Sequence, residues 1–198
     1  MNEQVSAEPD RKSAFGSFLI LRAVPAAGAA AVITFSANHA TIIGQLVFMT
    51  FGFVMAPIML ITAFGSGFAS RVRIAFTVSA IAAVTAAAIT SALIGPSNSG
   101  TPAEALRSFT LILGIWAAVA GLSELLAGWF HDKKNEAREM FILGGFTAAL
   151  ALAELLLPLN EIYAVGLFGA YGALVAVFSA IAGFSVGVNR PAKQKGKS

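Results

Sequence analysis

Charged residues are scarce in this chain of 198 residues, and cysteine is absent. Only 12% of the residues are charged and 57% are hydrophobic. Soluble domains average about 25% charged and about 45–50% apolar residues. Because so few charges cannot cover a surface that faces water, much of the surface is expected to face lipid. The absence of cysteine excludes disulfide bonds and metal sites built from thiolates.

The sequence also lacks the motifs that mark an enzyme or a metal site. Its two histidines, His39 and His131, fall on opposite sides of the membrane in the topology predicted below. It contains no HExxH motif, no glycine-rich phosphate loop followed by lysine, and no carboxylate cluster with metal-binding spacing. We therefore predict a non-enzymatic protein with no catalytic residue, no cofactor and no metal ion.

Six apolar segments are long enough to cross a bilayer, which takes about 20 residues of α-helix. They lack the alternation of apolar and polar residues that is typical of a transmembrane barrel, and polar turns such as SANHAT and HDKKNEAR separate them. The sequence thus predicts an all-α membrane protein with six transmembrane helices. The predicted apolar helices are 18–36, 41–64, 74–94, 108–130, 140–157 and 162–188.

The motif TPAE at residues 101–104 predicts that the fourth helix begins before its apolar part. Thr101 can cap the helix, and Pro102 suits the first helical position. Glu104 can reach back to the amide of the capping residue. The fourth helix is therefore expected to be longer than its apolar run.

The distribution of lysine and arginine predicts the orientation of the chain, because cytoplasmic segments carry the excess of these residues. Basic residues lie before the first helix, in the second and fourth turns and after the sixth helix, whereas Arg107 alone lies at the opposite side. The predicted parts are a cytoplasmic N-terminal tail 1–17, a six-helix transmembrane domain 18–188 and a basic cytoplasmic C-terminal tail 189–198. The protein is expected in the cytoplasmic membrane, as a multi-pass protein with both termini cytoplasmic.

The basic tail and loops predict the partners of the protein. Near a membrane surface each basic residue contributes about 1 kcal/mol of attraction to anionic lipid headgroups. This attraction accounts for the C-terminal NRPAKQKGKS without a nucleic acid, which we do not expect as a partner. Within the membrane, we expect association with membrane lipids and with a second copy of the chain or other membrane proteins.

Weak internal repeats relate the helices to one another. A shift of 62 residues lays 79–96 over 141–158, so that the TAA triplets and the closing prolines coincide. A shift of 55 residues lays 114–129 over 169–184, so that two glycines and an aromatic residue coincide. The six helices are therefore predicted to form three repeated helical hairpins, which are helices 1–2, 3–4 and 5–6, in parallel orientation.

The third helix consists largely of small residues, and two explanations are open. Small side chains let helices approach closely in lipid, which predicts a central position for this helix. An alanine-rich genome would give the same composition. The two tryptophans, Trp116 and Trp129, are both interpreted as anchors near the two membrane surfaces.

The run GIWAAVAGLSELLAGWFHDKKNEAREMFILGGFTAALALAELLLP, at 114–158, resembles the HdeD-like family of bacterial inner-membrane proteins. In that family a helix with a Gly-aromatic start and a Gly-x-x-Glu-Leu segment leads through a short basic loop to a glycine-containing helix that ends in proline. The run LRAVPAAGAAAVITF also resembles the first helix of that family. The resemblance extends over residues 21 to 184.

The resemblance implies a bacterial inner-membrane location and a link to acid resistance, for which the family is named, but no chemical reaction. Two features depart from the family pattern. The first helix ends in FSANHA without the usual proline, and Glu154 stands where the family has an apolar or small residue.

Two charges inside the predicted helices lie at similar depth. Glu124 is about 9 Å and Arg22 about 6 Å from the cytoplasmic ends of their helices, at about 1.5 Å per residue. An unpaired charge at the centre of a membrane helix costs about 2.5–3.5 kcal/mol, so an ion pair between Arg22 and Glu124 is predicted. Separate extension of both side chains to the headgroups, or a proton-linked role, are the alternatives.

On the opposite side, His39 and Glu154 could form a pair that titrates in acid. The alternative is that both are ordinary polar residues at helix ends.

The function predicted from these features is that of a non-enzymatic multi-pass inner-membrane protein of the HdeD-like type, with a role in acid or envelope stress. The alternative is a small proton-linked transporter or permease that uses Arg22, Glu124 and Glu154. A polar tunnel that reaches Glu124 would favour transport, and a dry interior would favour a structural role.

Overall fold

The structure is a computed structural model that describes residues 11–94, 100–158 and 160–187. In these ranges the chain forms six helices and no strand. Each helix contains a segment long and apolar enough to cross a membrane, which confirms the predicted all-α fold. The helices are α1 (Arg11–Phe35), α2 (Thr41–Gly65), α3 (Ser70–Leu93), α4 (Pro102–Trp129), α5 (Lys134–Leu156) and α6 (Glu161–Gly187).

The predicted tails lie mostly outside the described residues, which leave out 1–10 and 188–198. Helix α1 begins at Arg11, inside the predicted tail 1–17, and its apolar span begins at Phe15. Helix α5 likewise starts at Lys134, before its apolar run. Polar first turns therefore extend these helices beyond the lengths that apolar composition alone predicts.

Helix α4 starts with the capping box that TPAE predicts. The hydroxyl of Thr101 accepts a hydrogen bond from the backbone N–H of Glu104 at 3.3 Å. The carboxylate of Glu104 accepts one from the backbone N–H of Thr101 at 2.7 Å. Both bonds satisfy amides that have no partner inside the helix, so they fix the start of α4 at Pro102.

The six helices contact one another in chain order around a ring, which α1 and α6 close. The most extensive contacts join α1 to α6, α4 to α5, and α2 to α3. These contacts lie between successive hairpins of the predicted repeat, not within them. Each of these three contacts joins an even-numbered helix to the odd-numbered helix of the next hairpin. The same kind of contact therefore repeats three times around the ring.

Glycines on the even-numbered helices allow this close packing. A methyl group on Gly121 of α4 would lie 2.7 Å from the backbone nitrogen of Ala148 on α5. At α6, a methyl group on Gly172 would lie 2.9 Å from the carbonyl oxygen of Ala26 on α1. At α2, a methyl group on Gly52 would lie 2.8 Å from a carbonyl oxygen on α3. In all three contacts the backbone of the neighbouring helix occupies the space of the missing side chain.

The predicted central position of α3 is wrong. Among the described residues, α3 makes extensive contacts with α2 and α4, whereas α2 contacts α1, α3, α4 and α6. The small residues of α3 serve a different purpose, because Ala83 and Ala87 face Gly52 at the close contact with α2. Small residues thus indicate that a helix packs closely against one neighbour. They do not indicate that the helix lies at the centre of the bundle.

Aromatic rings fill the bundle at two levels. One cluster joins α2, α4 and α6 through edge-to-face contacts with centroids 5.2–6.3 Å apart. A second cluster joins α1 and α3 to the turn between α2 and α3 and to the turn between α4 and α5. The first cluster contains Phe48, Phe51, Phe109, Trp116, Phe168 and Tyr171, and the second contains Phe15, Phe18, Phe68, Phe76 and His131.

Trp116 is part of this core, so its interpretation as an anchor at a membrane surface is wrong. Its side chain is 3% exposed and packs against Phe48, Phe51 and Tyr171. Trp129, at the end of α4, is largely exposed, as an anchor would be.

Candidate functional site

The structure brings Arg22 of α1 and Glu124 of α4 together inside the bundle. Nη1 of Arg22 donates to one carboxylate oxygen at 2.7 Å, and Nη2 donates to the other at 3.2 Å. The two residues are 2% and 3% exposed. A planar guanidinium that donates twice to one carboxylate forms a strong and directional ion pair. Because both groups are buried, separate extension of the two side chains to the headgroups does not occur in this structure.

Tyr171 and Thr147 extend the ion pair into a polar layer. The hydroxyl of Thr147 donates to the carbonyl oxygen of Leu143 at 2.9 Å. Because the hydroxyl proton of Thr147 is engaged in that bond, its oxygen accepts a hydrogen bond from the phenol of Tyr171. The two oxygens are 3.2 Å apart. The phenol also lies near enough to Arg22 and Glu124 to interact with their charges. Helices α1, α4, α5 and α6 therefore each contribute one polar side chain to a single layer.

This polar layer lies in a closely packed part of the bundle. The ring of Trp116 packs edge-on against Tyr171, with the centroids 6.1 Å apart. Neither Arg22 nor Glu124 lines any of the four main cavities found among the described residues. The ion pair is therefore a closed internal contact between helices that stand opposite each other in the ring.

His39 and Glu154 are not brought together, and the prediction that they pair is wrong. No hydrogen bond or ion pair within the described ranges joins them. His39 lies half-exposed in the turn between α1 and α2. Glu154 is 4% exposed and faces a cavity of about 10 Å³ that Thr110, Tyr163 and residues beside them line. At the same end of the molecule, a hydrogen bond connects α2 to α6, because the hydroxyl of Thr41 donates to the carboxylate of Glu161 at 3.0 Å.

Among the described carboxylates at this end, Glu154 alone is buried without a partner. Its Oε1 makes no hydrogen bond to any described residue. The adjoining cavity is about the size of a single water molecule, which occupies about 10–15 Å³ by this measure. The site can therefore hold a proton on the carboxyl group or one small polar molecule, and nothing larger.

Sequence reasoning missed a polar cluster in the turn between α4 and α5. Nε2 of His131 lies 2.8 Å from the carboxylate of Glu136, and Nζ of Lys133 donates to that carboxylate at 3.1 Å. The ring of His131 also packs edge-on against Phe68 at 5.5 Å between centroids. The sequence feature that indicates this cluster is a histidine just before the start of α5 and a glutamate in its first turn. The cluster joins this turn to the turn between α2 and α3.

The described residues contain no group of three histidine, cysteine or acidic side chains placed to hold a metal ion. Comparison with known proteins finds no matching family model, no matching curated protein and no matching solved structure.

Proposed function

We propose that this chain is a non-enzymatic multi-pass protein of a bacterial cytoplasmic membrane, of the HdeD-like type, with a role in acid or envelope stress. The buried ion pair of Arg22 and Glu124 is the observation that supports a structural role over a transport role. Its groups are 2% and 3% exposed and hydrogen-bonded to each other. The stress role rests on the resemblance of residues 114–158 to that family. The protein would act by associating with itself or with other membrane proteins.

A transport role needs an accessible path for the transported ion. Charged side chains that serve such a path typically face a cavity filled with water or a chain of exchangeable groups. The pair of Arg22 and Glu124 is instead buried between the helices beside Tyr171, whose ring packs against Trp116. This packing favours a structural role for the pair over the proton-linked permease. Glu154 is the remaining feature that supports the alternative, because its carboxyl group is buried without a partner.

Proton movement across vesicles distinguishes the two functions. We expect purified protein in liposomes that contain a pH-sensitive dye to pass protons no faster than liposomes without protein. Acid survival is the matching test in cells: deleting the gene should lower survival after acid shock, and the wild-type gene should restore it. Proton uptake that Glu154→Gln abolishes would establish the permease instead. Unchanged acid survival of the deletion strain would contradict the stress role.

The orientation can be tested because the chain has no cysteine of its own. Ala37→Cys in the turn between α1 and α2 and Asp132→Cys in the turn between α4 and α5 each introduce a single exposed thiol. With both termini cytoplasmic, a membrane-impermeant maleimide added to intact cells should label Ala37→Cys only. Asp132→Cys should react only after the membrane is opened. The reverse pattern, or labelling of both in intact cells, would contradict the predicted orientation.

A further inference from the structure

A cavity of about 610 Å³ lies at the end of the bundle opposite the turn between α4 and α5. The starts of α2, α4 and α6 and the end of α3 surround it. Sites for small molecules typically measure about 300–1,000 Å³ and combine an apolar wall with a few polar groups. This cavity has both kinds of wall. Its polar lining comprises Thr41, Gln45, Glu104, Ser108 and Glu161.

Gln45 points to a polar ligand. It lies in the second turn of α2, is 4% exposed and lines the cavity. Its side-chain amide makes no hydrogen bond to any described residue, although buried amides in proteins nearly always have a partner. Gln45 instead borders the cavity. The amide is therefore free to donate to, or accept from, a molecule that enters this space.

The charge of the cavity favours a cation. Glu161 uses one carboxylate oxygen to accept from Thr41, and Glu104 uses one in the capping box, so each carboxylate keeps an oxygen that makes no such bond. No lysine, arginine or histidine is among the described residues that line the cavity. Three helices start here, and each start carries about half a positive charge. The two full negative charges of Glu104 and Glu161 outweigh that sum.

We propose that this cavity binds a small organic ammonium ion that enters from the water on that side of the membrane. The ammonium group is attracted to Glu104 and Glu161 and hydrogen-bonds to Gln45. An alkyl body of a few carbons packs on the apolar wall, which includes Ile42, Leu93 and Ile94. This apolar wall favours an organic ammonium ion over a bare metal ion, which would prefer oxygen ligands on all sides.

Binding of n-butylammonium tests the proposal. The full chain is placed in nanodiscs of zwitterionic lipid, and saturation-transfer NMR with calorimetry measures the affinity. Empty nanodiscs and butyrate, which has a similar alkyl chain and the opposite charge, are the reference measurements. We expect n-butylammonium to bind only to discs that hold the protein, and butyrate not to bind.

The variants Glu161→Gln and Gln45→Leu should each weaken this binding, roughly tenfold or more for the loss of the charge. Both retain the size of the side chain, and glutamine at 161 can still accept from Thr41. Glu154→Gln is the matched control, since it neutralises a carboxyl group outside this cavity, and its affinity should equal that of the wild type. A melting curve for each variant shows that it is folded.

Three results would overturn the proposal. They are equal signals from empty and loaded discs, butyrate binding as tight as that of butylammonium, and folded Glu161→Gln and Gln45→Leu variants with the affinity of the wild type. These results do not depend on acid survival or proton flux, so they leave the proposed function untouched.

Discussion

Replacing Glu124 by glutamine is expected to destabilise the bundle by about 3–5 kcal/mol, the usual cost of removing one partner of a buried ion pair. The substitution leaves the guanidinium of Arg22 buried without a counter-charge. Nη1 of Arg22 lies 2.7 Å from the carboxylate that is lost. Thermal unfolding in a mild detergent, followed by circular dichroism, measures the expected fall in melting temperature.

Two further variants make this test specific to the ion pair. Glu154→Gln neutralises another buried carboxyl group that has no cationic partner among the described residues, and it should change the melting temperature little. The double variant Arg22→Met with Glu124→Met removes both charges and should recover most of the lost stability, because replacing a whole buried pair by apolar groups is often neutral. A Glu124→Gln variant that melts with the wild type, or a double variant no more stable than the single one, would contradict a stabilising pair.

Replacing Gly121 by alanine is expected to force α4 and α5 apart. The added methyl carbon would lie 2.7 Å from the backbone nitrogen of Ala148 and 3.1 Å from the carbonyl oxygen of Gly144. Both atoms belong to the backbone, so relief requires a shift of a whole helix. Overpacking of this kind typically costs about 1–3 kcal/mol. The melting temperature in detergent should fall, although alanine favours a helix over glycine by about 0.5–1 kcal/mol.

Gly145→Ala is the matched control on α5, away from the contact with α4. Gly145 follows Gly144 in α5, and a methyl group there would meet no atom within 4 Å. The same chemical change should therefore be neutral or slightly stabilising, since only the helix preference remains. Equal effects of Gly121→Ala and Gly145→Ala would show that the helices do not touch as described.

The sequence was sufficient to predict the six helices and the ion pair because both depend on position along the membrane normal. Apolar length defines a crossing, and depth below the headgroups can be counted in residues from the end of a helix. Arg22 and Glu124 are predicted at depths within about one helical turn of each other, and two opposite charges at similar depth in lipid have a strong reason to meet. The start of α4 was predictable for a local reason, the capping box of Thr101 and Glu104.

The rotation of each helix and its choice of neighbours could not be read from the sequence. In lipid both the outer face and the packed face of a helix are apolar, so no amphipathic stripe shows which way it turns. The sequence therefore predicts Trp116 at the membrane surface, whereas it lies in the core. His39 and Glu154 were paired because they share one end of the bundle, but Glu154 faces Thr110 and Tyr163 instead. The burial of Gln45 could not be predicted from the sequence, because it depends on how four helices pack together.

The ion pair also sets an order of events during synthesis. Arg22 and Glu124 are separated by 102 residues. Ribosomes add about 5–20 residues per second, so roughly 5–20 s pass between the emergence of the two side chains. During that interval the first helix holds a guanidinium without its counter-charge, and a charge in that state is expected to stay near the closest headgroups. The pair can form only after the fourth helix is made, so the packing of α1 in its final place depends on the insertion of α4.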